Sequence, residues 1–205
     1  MTRYLVQMVL AEAMAIALIA LIYAALVRGI LAYPAWILAA GALQGLLLGT
    51  VQRHRLRRLG YPARAWTPVT VLAATASYGL SILAGMGTAA DPTVAVDPMV
   101  RPDIAMLAGM GAAMGAGLGL LMGLVQLVAL PFTMSRASWA LANLSGWAPA
   151  AAVLAVAAAI PGADWPLWHV GLLGAGAGAV AGLFVACLTS PVFRPALDFQ
   201  ARARR

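Results

Sequence analysis

Apolar residues run along this chain in long blocks, and polar ones gather in the short gaps between them. Six blocks approach or exceed the roughly 20 residues that a helix needs to cross a bilayer: residues 5–27, 35–51, 67–85, 104–130, 138–160 and 170–190. They predict an all-α integral membrane protein, one six-helix transmembrane domain spanning residues 1–205. The second block is short for a full crossing, and the fourth is long enough to require tilt or projection beyond the bilayer. Prolines punctuate the blocks. Pro34 precedes the second, Pro68 lies in the first turn of the third, and Pro131, Pro161 and Pro191 follow the fourth, fifth and sixth. Pro149 falls inside the fifth and predicts a kink. The sequence Ala11-Glu12-Ala13 faintly resembles a signal-peptide cleavage site, but the apolar run continues to Val27, so the first block reads as a membrane span.

Charge orients the blocks. With Met1 in the cytoplasm, that side holds Arg3, Arg53, Arg55, Arg57, Arg58, Arg64, Arg136, Arg194, Arg202, Arg204 and Arg205, and the other side only Arg28 and Arg101. This asymmetry follows the positive-inside rule and places both termini in the cytoplasm. The opposite loops carry Asp91, Asp97, Asp103 and Asp164 instead. Tyr4, Trp36, Trp66, Trp139, Trp165 and Trp168 lie near span ends, where an aromatic belt is expected.

Composition agrees: 63% of residues are hydrophobic and 9% charged, against about 25% charged in a soluble domain. All 13 basic residues are arginines. That excludes a lysine Schiff base, a P-loop lysine and a Ser–Lys dyad. The arginine- and alanine-rich, lysine-free usage points to a high-GC bacterium, and so to a bacterial inner membrane. The lone Cys187 can form no intrachain disulfide and reads as a small buried hydrophobe.

A glycine pattern, G-x3-G-x3-G, occurs in each even-numbered span: Gly41, Gly45 and Gly49; Gly115, Gly119 and Gly123; Gly174, Gly178 and Gly182. Residues four apart share a helix face, so each even helix carries a stripe free of side chains. Gln52 follows Gly49 by three residues and Gln126 follows Gly123 by three, with Val185 at that place in the third copy. An arginine-bearing segment and a tryptophan come next, Trp66 in the first copy and Trp139 in the second. The pattern predicts three repeated hairpins in parallel orientation, with a pseudo-threefold bundle as one arrangement. Gly45, Gly49, Gln52 and Arg53, with Gly119, Gly123 and Gln126, give the chain a resemblance to a family of uncharacterised multi-pass bacterial membrane proteins whose motif reads G-x3-G-x2-Q-W. It covers roughly residues 41–66 and 115–147, with Arg53 and Leu127 in place of the tryptophan. The resemblance implies architecture and no activity.

Glu12 is the only acidic residue within a predicted span. An intramembrane carboxyl is costly to keep and is a candidate to carry a proton or bind a cation. The alternatives are that it reaches the interface, stays protonated or pairs with a loop arginine. Gln44, Gln52, Gln126, Asn143 and Ser145 are candidates for hydrogen bonds between helices, and the two motif glutamines also for lining a vestibule. Asn143-Leu144-Ser145-Gly146 resembles the serine motif of rhomboid proteases without its first glycine, but Ser145 and His169 fall in opposite halves of the membrane, which excludes a dyad. His169, behind Trp165 and Trp168, is a candidate tetrapyrrole or metal ligand with no second histidine on its side. The Met106, Met110 and Met114 stripe suits packing or lipid better than copper. Arg53, Arg55, Arg57 and Arg58, in a loop over 53–64, are expected to meet anionic headgroups or an acidic partner. Topology accounts for these charges without nucleic acid.

With short loops and no catalytic constellation, the expected function is a non-enzymatic scaffold or accessory subunit of a larger membrane complex, contacting lipids and other subunits or itself. The glycine stripes serve as contact faces for a partner, lipid or pigment. No cofactor is predicted, although bound lipid is expected and pigment or haem stays open. The alternative is a small transporter or channel component resembling a six-helix substrate-binding importer subunit, with the Ala13/Ala17 and Ala20/Ala24 pairs as its contact faces.

Overall fold

The computed structural model describes residues 2–33, 35–87, 103–162 and 164–193. Asp91, Asp97, Arg101, Arg194, Arg202, Arg204 and Arg205 lie outside them. The described residues form six α-helices: α1 (Thr2–Val27), α2 (Ala35–Arg58), α3 (Trp66–Gly87), α4 (Ile104–Gln126), α5 (Arg136–Ala158) and α6 (Leu167–Thr189), the last followed by a 3-10 turn, Ser190–Phe193. No strand occurs among them, and all six helices are long and apolar enough to cross a membrane. The chain is a multi-pass membrane protein.

Two boundaries differ from the hydrophobic blocks. α2 continues two turns past its apolar segment, so Arg53, Arg55, Arg57 and Arg58 stand on a helix and not in a loop. Arginine is a good helix former, and hydropathy marks only the part of a helix that lies in lipid. α2 stops at Gly60, whose φ of 83° is open to glycine at little cost; the Tyr61 N–H donates to the Leu56 carbonyl at 3.1 Å and the Gly60 N–H to that of Arg57 at 3.0 Å, a glycine C-cap. α4 is shorter than its block and needs no extra tilt. Beyond Gln126 the chain tightens into bonds three residues back, such as Ala129 to Gln126 at 3.0 Å, and reaches Pro131. α5 starts at Arg136, capped by Ser135 Oγ accepting from the Ser138 N–H at 3.2 Å, and continues through Pro149.

Each helix packs against its neighbours in chain order, and α1 closes the ring against α6. Contact is most extensive in α4/α5, α1/α6 and α2/α3, and least in α3/α4. The glycine stripes explain the three close pairs. All nine glycines are buried inside the bundle, so they form no face for a partner. A Cβ on Gly119 would lie 2.6 Å from the Asn143 carbonyl oxygen, one on Gly45 2.8 Å from that of Thr70, and one on Gly182 2.9 Å from that of Met8. Real side chains do not approach backbone so closely.

These contacts keep one register. Gly45 meets the residues four and eight positions after Trp66, namely Thr70 and Ala74; Gly119 meets those four and eight after Trp139, namely Asn143 and Trp147; Gly182 meets those four and eight after Tyr4, namely Met8 and Glu12. α6 therefore sits on α1 as α2 sits on α3 and α4 on α5. In this register the third counterpart of Gln52 and Gln126 is Thr189, one turn beyond Val185. Sequence spacing alone aligned the third stripe one turn off, because Ala186 takes the place of its last glycine.

A buried amide network and an intramembrane carboxyl

The polar residues that fold inward meet at two levels of the bundle. At the arginine-bearing end, Gln52 Oε1 accepts from Trp66 Nε1 at 3.0 Å and from Gln126 Nε2 at 3.3 Å. Gln126 Nε2 also donates to Thr70 Oγ1 at 3.0 Å, and its Oε1 accepts from Trp139 Nε1 at 3.1 Å. Thr70 donates in turn to the Trp66 carbonyl at 2.9 Å. Two glutamines thus join α2, α3, α4 and α5. Both are buried, so they line no vestibule.

Aromatic rings seal the network. Trp66 and Trp139 meet edge to face at 5.2 Å, Trp139 meets Phe193 at 5.6 Å, and Phe193 meets Tyr4 at 5.5 Å. Thr189 donates to the Val185 carbonyl at 2.7 Å, which leaves its oxygen to accept from the Tyr4 hydroxyl at 3.1 Å. Trp66 and Trp139 are 0% exposed and Tyr4 4%. These three are interior cross-links and not members of a lipid-facing belt; Trp36 and Trp168, at 49% and 61%, do face outward. Indole N–H groups this deep require an acceptor, and the glutamine amides supply it. Hydropathy cannot separate a tryptophan at a span end that faces lipid from one that faces inward. The signal that could separate them is the glutamine 14 and 13 residues upstream of Trp66 and Trp139.

Two turns deeper, Glu12 on α1 is 0% exposed. Its Oε2 accepts from Gln44 Nε2 on α2 at 2.8 Å, while Oε1 has no hydrogen-bond partner. It reaches no interface and forms no ion pair with an arginine among the described residues. α6 passes close by because it carries glycine there: a Cβ on Gly178 would stand 2.6 Å from the Glu12 carbonyl oxygen, and one on Gly182 2.8 Å from Glu12 Cβ. A carboxyl with one oxygen bonded and the other bare can take up a proton or a cation. The amides of Gln52 and Gln126 do not titrate, and their carbonyl oxygens already accept hydrogen bonds.

The other candidates separate. Asn143 bonds within its own helix, Nδ2 donating to the Trp139 carbonyl at 3.0 Å while Oδ1 stays unpaired. Ser145, two residues on and so about 200° around the helix, is exposed. Neither hydrogen-bonds another helix. His169 is exposed, its ring tilted against that of Trp168 with centroids 3.5 Å apart; no metal-holding group of His, Cys, Asp and Glu occurs among the described residues. Met106, Met110 and Met114 face outward. Cys187 is exposed as well, a correction to its reading as buried: it follows Ala186, the inward position, and lies about 100° round the helix beside Leu188. Ala17 and Ala20 lie against Gly174 within the α1/α6 contact, so part of the proposed alanine face is taken up internally.

The chain matches no family model, and neither curated proteins nor solved structures show a similarity to it.

Proposed function

We propose that this protein is a non-enzymatic scaffold or accessory subunit of a larger membrane complex. The observation that carries this reading is the amide network: glutamine, threonine and tryptophan groups bond to one another across four helices and present nothing to a substrate. Such cross-links favour one fixed arrangement of helices, as a subunit that holds others in place requires. The three glycine-packed pairs read as copies of one unit, an even helix followed by an odd one, with α6 and α1 as the copy split between the two ends of the chain. The arginine-bearing end faces the cytoplasm of a bacterial inner membrane, on the same charge asymmetry that orients the spans. Family kinship through the G-x3-G-x2-Q motif accords with this reading and adds no activity to it.

Purification of the tagged protein in mild detergent tests the proposal. Stoichiometric membrane subunits that stay bound through size exclusion are expected. A monodisperse monomer carrying a small solute would replace it with the second reading, a small transporter or channel component. That reading has its own support in Glu12, a buried carboxyl with a bare oxygen. A reporter fused after Arg205 is expected to read as cytoplasmic, and a periplasmic reading would reverse the orientation.

A further inference from the structure

A cleft of about 310 Å³ opens beside the last turns of α2, lined by Arg53, Arg57, Tyr61, Pro62, Ala63 and Arg64. Its charges converge for structural reasons. Arg53 and Arg57 lie one turn apart and share a helix face. The left-handed turn at Gly60 reverses the chain, and Arg64 joins them from the α2–α3 connection. Among the described residues, none of the three guanidiniums has a hydrogen bond or ion pair, and Arg53 Nε is withdrawn from solvent without an acceptor. The helix-end carbonyls of Leu56 and Arg57 are already engaged by Tyr61 and Gly60. A preference for one side of the membrane explains how many arginines lie here but not why three of them face one cleft.

We propose that this cleft binds a phosphate-bearing anion. Arg53 and Arg57 present forked donors that match phosphate oxygens, and Arg64 adds a third cation. The Tyr61 oxygen accepts from Thr133 Oγ1 at 3.4 Å, which leaves its hydroxyl proton free to donate. Three guanidiniums around one cleft repel each other until an anion enters between them. The cleft begins where the apolar part of α2 ends, at headgroup depth, so either a lipid headgroup or a soluble phosphate can supply the ligand. The inference does not depend on the scaffold reading.

The full-length protein is titrated with inorganic phosphate in a neutral detergent, and separately reconstituted into phosphatidylcholine vesicles with increasing phosphatidylglycerol, with the melting temperature as the common readout. Saturable stabilisation is expected in at least one arm. Response to inorganic phosphate identifies a soluble source, and response to phosphatidylglycerol alone a lipid. Arg53→Gln and Arg57→Gln are each expected to raise the half-saturating concentration about tenfold, the scale of losing one charge-assisted bond. Arg136→Gln, which removes the same charge elsewhere, is expected to change nothing. Should Arg53→Gln not fold, Arg53→Lys keeps the charge, loses the fork and is expected to weaken saturation. No saturation in either arm overturns the proposal, as does an equal loss in Arg136→Gln and the cleft variants, since diffuse attraction then explains the binding.

Discussion

The α4/α5 and α6/α1 pairs share one backbone contact and differ in how it is closed. In α4/α5, a short connection delivers Trp139 to Gln126, and the glutamine bonds onward to Gln52 and Thr70. In α6/α1, the partners come from opposite ends of the chain, and a single side-chain bond, Tyr4 to Thr189, occupies the equivalent place. The weaker latch is joined by a bond that Gln44 of α2 donates to Glu12 of α1. Glycine packing is thus the common element of the pairs, while the polar closure varies with what each connection can deliver.

Substitutions can break this comparison in order of severity. Gly119→Val places a branched side chain against the Asn143 backbone and is expected to destabilise by about 3 kcal/mol, read as unfolding in mixed detergent–SDS micelles. Gly109→Val, where the structure has open space, is the control, with a change under about 0.5 kcal/mol. Equal effects would show that the glycine stripe does not hold α4 to α5.

Gln126→Leu removes three hydrogen bonds and leaves the Trp139 indole N–H without an acceptor. A loss of about 2–3 kcal/mol is expected, with a shift in tryptophan fluorescence. Thr189→Val removes one bond between helices, the Tyr4 latch, along with the hydroxyl's bond to Val185 in its own helix; about 0.6 kcal/mol is expected for the latch, the mean for a hydrogen bond between membrane helices. A Thr189→Val loss as large as that of Gln126→Leu would erase the distinction between the pairs.

Gln44→Leu leaves Glu12 with neither oxygen bonded and is expected to cost about 1–2 kcal/mol. Glu12→Gln keeps an acceptor for Gln44 and is expected to stay within about 1 kcal/mol of the native protein. If Glu12→Gln leaves stability, assembly and growth unchanged, the carboxyl has no role in binding a proton or cation.

The number of spans was legible because hydrocarbon demands a long apolar run whatever the neighbours are. The glycine stripes were legible too, since their period is that of the helix. Their target was not. A stripe that fits another subunit and one that fits the next helix of the same chain have the same composition, and all nine glycines proved to face inward. Asn143 and Ser145 misled for a related reason. A polar residue in a span has to be bonded to something, and its own helix offers Asn143 the Trp139 carbonyl before any other helix does. Among the candidates, Gln44, Gln52, Gln126 and Glu12 are the ones brought into bonds between helices.

By itself the sequence determined the membrane environment, the six helices and the periodic glycine faces, all consequences of local chain chemistry acting within one helix at a time. Only the tertiary structure decided that α6 closes on α1, that Thr189 and not Val185 stands where the glutamines do, that Trp66, Trp139 and Tyr4 turn inward, and that Arg53, Arg57 and Arg64 share a cleft. Each of these depends on which helix lies opposite, and that choice is made by close backbone approach between segments far apart in the chain.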